Sequence, residues 1–209
     1  MVRRFTSTFF VTLAVWCATS PSARAQLLGN LSTASVEEVG AKKVGGYLGL
    51  TGDYVSLMGQ FRYGVAPSFD LGIKAAFVDF SNNAGSSVAF NADAKIQLLD
   101  VFLQDPVDLA IGPEITYFQF SDVSNWYFGG FLTLSKEFTL DNGRPLTPYS
   151  RVGARMQRIE APTGDSDEFD VGFAGGVEYG ISGYTQIYGE VVIEDSGTGM
   201  YVGAQYQLP

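Results

Sequence analysis

The chain has 209 residues, 25 of them glycine, with 17% charged and 14% aromatic side chains, no histidine and a net charge of −9. That length fits one domain, and a surplus of acids over cations excludes a nucleic-acid partner, because nothing neutralises phosphates. Without histidine, a Ser-His-Asp, Cys-His or His-metal site cannot be built.

The first element in chain order is a secretory signal over residues 1–25. Met1-Val2-Arg3-Arg4 is a basic start, Phe5 to Ala18 is mostly apolar, and Ala23-Arg24-Ala25 is a small-x-small cleavage site. The apolar run is too short for the roughly 20 residues of a membrane helix. Arg3-Arg4 lacks the flanking residues of a twin-arginine signal, and Trp16 sits where a lipobox ending at Cys17 needs a small residue. Cleavage would start the mature chain near Gln26 with 10 basic and 22 acidic residues, a net charge of −12. It would also remove Cys17, the one cysteine, and with it all disulfide and thiol chemistry.

Residues 26–43 read as a polar N-terminal extension on the periplasmic side, with a short helical turn at Ser35–Val39. From Val44 the texture changes to period-2 alternation broken by turn residues. The predicted domain is an all-β, up-and-down antiparallel transmembrane barrel over 44–209, with about ten strands, or eight as the alternative. The ten run 44–51, 54–65, 69–80, 87–99, 107–120, 126–138, 148–160, 168–180, 184–195 and 199–208. Turn chemistry separates them, as at Thr51-Gly52-Asp53, Ala66-Pro67-Ser68 and Asp141-Asn142-Gly143. An even strand count puts both ends of the domain on one rim.

Three features separate a membrane barrel from a soluble one with its apolar face inward. Most predicted strands span 10–14 residues, long for soluble proteins but suited to a tilted crossing of about 9–11. Their polar faces are rich in Gly, Ala and Ser, which suits a crowded interior. Charges on the apolar faces, Asp79, Lys136 and Arg158, lie near strand ends. Aromatics on the same faces gather at two levels: Tyr63, Phe69, Phe138, Tyr179 and Tyr206 at one rim, and Phe77, Tyr117, Trp126, Phe128 and Phe169 at the other.

Two stretches, Tyr63-Gly64-Val65-Ala66-Pro67-Ser68-Phe69-Asp70-Leu71-Gly72 and Gly176-Val177-Glu178-Tyr179-Gly180-Ile181-Ser182-Gly183-Tyr184, are similar to the strand–turn–strand units of small bacterial outer-membrane barrels. Gly199 to Leu208 resembles the last strand of such barrels. The chain thus resembles the superfamily that includes the OmpA transmembrane domain and OmpX. The resemblance implies an integral outer-membrane protein surrounded by lipid and inserted by the barrel-assembly machinery. One departure stands at the end: family members usually finish in Phe or Trp, and this chain finishes Tyr206-Gln207-Leu208-Pro209.

The candidate site is the charge set that alternation places in the lumen. Its cations are Arg62, Lys74, Lys95, Arg151 and Arg155; its acids are Asp93, Glu114, Glu137, Asp170, Glu178, Glu190 and Glu194. One reading is a charged eyelet that selects solutes. The favoured reading is an interior ion-pair network, because buried charges persist mainly when paired, with Tyr47, Tyr127, Phe131 and Tyr188 filling the space between. Asp165, Asp167 and Glu168 match no calcium loop and read as a solvated tip. No cofactor and no metal is expected. The expected role is non-enzymatic, in the envelope or at the surface. The alternative is a narrow channel for small solutes or ions, and a soluble periplasmic ligand-binding barrel is the rival at the level of the fold.

Overall fold

The structure is a computed structural model that describes residues 28–81, 85–100, 105–120, 123–160, 162, 164–194 and 197–209. The signal expected at 1–25 lies outside the described residues. Ten long strands build the wall: β1 (Lys42–Thr51), β2 (Tyr54–Ala66), β3 (Phe69–Phe80), β4 (Gly85–Leu99), β5 (Asp108–Phe120), β6 (Val123–Ser135), β8 (Pro145–Glu160), β9 (Ser166–Gly180), β10 (Thr185–Glu194) and β11 (Gly197–Leu208). A two-residue strand, β7 (Phe138–Thr139), lies in the connection from β6 to β8 and pairs with the start of β8.

Each wall strand is antiparallel to its neighbours, β6 pairs with β8, and the first strand pairs with the last, from Lys42↔Leu208 to Thr51↔Gly199. The sheet is therefore a closed ten-stranded barrel with no free edge, as alternation and turn chemistry predicted. The larger differences from the predicted bounds are at β6, which runs Val123–Ser135 rather than 126–138, and at the start of β8, at Pro145 rather than 148.

Closure fixes what faces where. Val55, Leu57, Ile73, Phe77, Phe90, Met156 and Val202 point outward and are exposed, while the alternate positions Ser56, Met58, Gln60 and Arg62 are buried. The apolar faces thus look out, which excludes the soluble barrel with Val55 and Leu57 lining a cavity. A continuous apolar band of this kind is the surface a barrel presents to lipid. Aromatics mark its upper level: Tyr117 and Trp126 are cross-strand partners with ring centroids 4.5 Å apart, and Trp126 stacks on Phe128 at 6.0 Å.

Ile73 stands near the middle of β3 and is 57% exposed to the outside. A charge there has no rim to reach. Ile73→Arg is expected to weaken folding into lipid vesicles by about 2–4 kcal/mol, read from equilibrium denaturant titration. Asp79→Arg, near the end of the same strand, is the control expected to change little.

Candidate functional site

The interior is where the polar sequence collects. Arg62, Lys74, Asp93, Lys95, Glu114, Arg151, Arg155 and Glu190 are all buried in the lumen. Asp170 and Glu178 face it and are partly buried. Glu137 does not belong to the set. Its parity with Thr133 and Ser135 predicted a lumenal place, but the chain leaves the wall after Ser135, and Lys136, Glu137 and Phe138 are all exposed at the rim. Alternation assigns a face only while the ladder continues. The side chain of Glu194 lies outside the described residues.

The charges form two groups. On β2, β3 and β4, Arg62, Gly72 and Asp93 are consecutive register partners. The glycine between them leaves the gap that their side chains fill: a Cβ on Gly72 would lie 2.6 Å from both the Arg62 and the Asp93 side chains. The guanidinium donates to Asp93 at 2.9 and 3.3 Å and to Asp70. Asp70 in turn pairs with Lys95 at 3.3 Å. From β8, Arg151 reaches across β6 to donate to Glu114, the register partner of Asp93 on β5, at 2.6 Å and lies 3.6 Å over the Phe131 ring. Beside it Arg155 pairs with Asp170 at 2.5 Å and sits over Tyr127. The four predicted fillers Tyr47, Tyr127, Phe131 and Tyr188 are buried, joined by Tyr54, Tyr149 and Tyr201.

Residues 28–37 change the meaning of this interior. The segment expected as an extension outside the barrel lies inside it. Leu28 to Ala34 are buried, Ser35 to Glu37 partly buried, and only Glu38 to Gly40 reach solvent, with no helical turn at Ser35–Val39. The chain crosses the rim beside the β2–β3 turn, where the Gly40 amide donates to the Gly64 carbonyl at 2.8 Å and the Gly64 amide to the Ala41 carbonyl at 3.0 Å. From there, read toward the N-terminus, the segment rises into the lumen and pairs with no strand.

Main-chain groups that pair with no strand and are cut off from water need other partners. The lumen side chains supply them. Asp70 accepts from the Glu37 amide at 3.1 Å, Gln97 from Val36 at 3.0 Å and Ser135 from Ala34 at 3.0 Å. Lys95 donates to the carbonyls of Ser35 and Thr33 at 2.6 and 3.0 Å and to the Ser32 hydroxyl at 3.1 Å. Gln205 donates to the Leu31 carbonyl at 3.1 Å and Lys74 to the Gly29 carbonyl at 3.0 Å.

Glu190 is the deepest clamp. Its two oxygens accept separately from the Asn30 amide at 2.7 Å and the Leu31 amide at 2.8 Å, and the second also accepts from the Tyr149 hydroxyl at 2.9 Å. Two successive amides converge on one carboxylate because Leu31 adopts φ +46°, the left-handed conformation that turns consecutive N–H groups to one side. Above the clamp, Leu28 and Leu31 pack into a cluster with Tyr47, Tyr149, Tyr188 and Tyr201.

The predicted ion-pair set missed several residues that do this work. Asp70 and Asp108 share parity with the predicted Lys74 and Glu114 on the same strands, so strict alternation reaches both. Gln97, Ser135 and Gln205 carry no charge to mark them. The segment itself left one trace: Gln26 to Val36 holds no charged residue in a chain otherwise rich in acids.

A comparison with solved structures identifies the fold. The β-domain of the Bordetella autotransporter BrkA aligns over 82% of this chain and 100% of its own length at 12% identity, with a TM-score of 0.54. The chain has the fold of an outer-membrane β-barrel. Looser matches are the KdgM porin, at 12% identity over 80% of this chain and 99% of its own with a TM-score of 0.43, and the COG4313 outer membrane channel from Pseudomonas putida F1, at 9% over 88% and 100% with a TM-score of 0.43. No protein-family model matches the chain, and no curated protein matches it in sequence.

Proposed function

We propose that this protein is an integral outer-membrane barrel, closed by its own N-terminal segment, with a non-enzymatic envelope or surface role. The observation that carries this reading is the occupied lumen. Residues 28–36 and a layer of tyrosines fill the space through which a solute would pass, and the charges of the wall are engaged with one another or with the segment. None of the charged groups described above is arranged as a nucleophile beside a base. The alternative, a narrow channel, finds little room on the β5–β8 side of the segment, where the void beside Asn30, Glu114, Arg151 and Arg155 is about 10 Å³, enough for one water at most; a larger hollow of about 740 Å³ lies at β2–β5, lined mostly by apolar residues such as Phe61, Ile73, Phe90 and Ile115.

The exposed apolar band supports placement in the outer membrane, with the rim of the two termini on the periplasmic side. Recovery in the outer-membrane fraction and heat-modifiable gel migration test that placement, and a freely soluble periplasmic protein contradicts it. Planar-bilayer recording tests the closed lumen. The intact protein is expected to insert without stepwise conductance, and steady single-channel steps from folded protein would overturn the reading.

A further inference from the structure

The polar contacts of residues 28–37 are made mostly through the main chain. Lys74, Lys95, Gln97, Ser135, Glu190 and Gln205 reach its amides and carbonyls, while Ser32 and Ser35 make side-chain hydrogen bonds in the lumen and Glu37 pairs with Lys43 at 2.9 Å near its mouth. This is the way a sheet edge recognises an added strand, reading backbone polarity and leaving sequence to a few pockets; here side chains take the place of the edge. Two such pockets exist. Leu28 and Leu31 enter the tyrosine cluster. At position 29 only glycine fits, since a Cβ would lie 2.7 Å from the Tyr201 ring and 3.2 Å from Glu190 Oε1.

The wall does not depend on the segment for closure. All ten long strands pair with one another, and the segment joins none of their ladders. It is tied to β1 through Glu38 to Gly40, which are exposed, with Gly40 at φ +82°. Such a tether holds the segment at an effective concentration of about millimolar for a short linker, which shuts out competitors without adding any contact.

From this geometry we propose that the lumen is a binding site for an uncharged peptide, turned at its fourth residue and read through its backbone, of which residues 28–36 are the resident and exchangeable occupant. The inference rests on the closed-lumen reading. The ligand class is set by the wall: glycine at the second position, aliphatic side chains at the first and fourth, and small uncharged residues after them.

Gly29→Val tests it in the full chain, because it changes the occupant and leaves the wall intact. The valine strikes Tyr201, so the segment is expected to become protease-sensitive while the barrel keeps its heat-modifiable migration. A fluorescent synthetic peptide of residues 28–36 is then expected to bind the variant saturably, and at least tenfold more tightly than it binds the parent protein. The same peptide carrying valine at its second position is expected to fail. In a second arm, a protease site placed between Glu38 and Gly40 cuts the tether after folding, and the labelled peptide is expected to replace the severed segment. An open Gly29→Val lumen that takes up no native-sequence peptide overturns the inference. A severed segment that never exchanges, or a reversed-sequence peptide that binds equally well, does the same. Conductance separates the two readings: a conducting parent protein defeats the closed lumen, whereas a silent parent with no peptide uptake by the variants defeats this inference alone.

Discussion

Glu190→Ala is expected to free the N-terminal segment while the barrel remains folded. Glu190 is 3% exposed and accepts from two buried amides and a buried phenol. A buried donor left without an acceptor costs on the order of 1–3 kcal/mol, and three are left at once. Water admitted to the hole offsets part of this, so the expected net loss is about 3 kcal/mol in the hold on residues 28–37. The loss falls on the segment rather than on the wall, because the β9–β10–β11 ladders are backbone pairs that do not use the carboxylate. Limited proteolysis checks this: cleavage within 28–38 is expected in the variant and not in the parent. Glu190→Gln sharpens the test. The amide nitrogen can donate only, so it faces one N–H with another, and the segment is expected to loosen almost as much. Equal protection of all three proteins would show that the clamp does not hold the segment.

Arg62→Ala is expected to destabilise the barrel itself by about 3–5 kcal/mol, because it removes the cation between two buried carboxylates. Arg62, Asp70 and Asp93 are each no more than 6% exposed. Without the guanidinium, Asp70 keeps Lys95, and Asp93 faces the gap over Gly72 without its direct partner, with Lys74 and Arg151 acting on it only from a distance. Denaturant unfolding in detergent is the measurement. Adding Asp93→Asn to Arg62→Ala is expected to recover a large part of the loss, since the second change removes the stranded charge. Arg62→Lys is expected to fall between parent and alanine, because one ammonium cannot repeat the forked contact to both acids. Arg155→Ala is the comparison on the far wall: its partner Asp170 is only partly buried and reaches water, so the expected cost is smaller. A loss for Arg62→Ala no larger than that for Arg155→Ala would contradict the assignment.

Much of the wall was legible because period-2 alternation carries through every strand and turn residues mark the breaks. The pairing of the first strand with the last follows once ten strands of alternating polarity must bury their edges. The lumenal charges were legible by parity, and among the described residues parity failed where the chain left the ladder, at Glu137. The occupied lumen was not legible. Periodicity reports on residues that belong to a sheet, and Leu28 to Val36 belong to none. Their small, uncharged side chains match a loose tail as well as a buried thread. What distinguishes the two is a set of long-range contacts, such as that between Asn30 and Glu190, which no local pattern encodes.

The seam between β1 and β11 bears on how the barrel is assembled. Lys42 and Leu208 are paired yet stand at opposite ends of the wall's sequence, so this ladder closes the longest loop in the barrel and is expected to form late. Until it does, the sheet is an open trough. The segment lies one turn upstream of β1, so it can be laid into the trough sideways, with the remaining strands curling over it like staves around a mandrel. Entry end-on into a finished ring has to desolvate each amide before its partner is met, so order of closure governs how fast the thread is first loaded, and later exchange is the slower route to the same site.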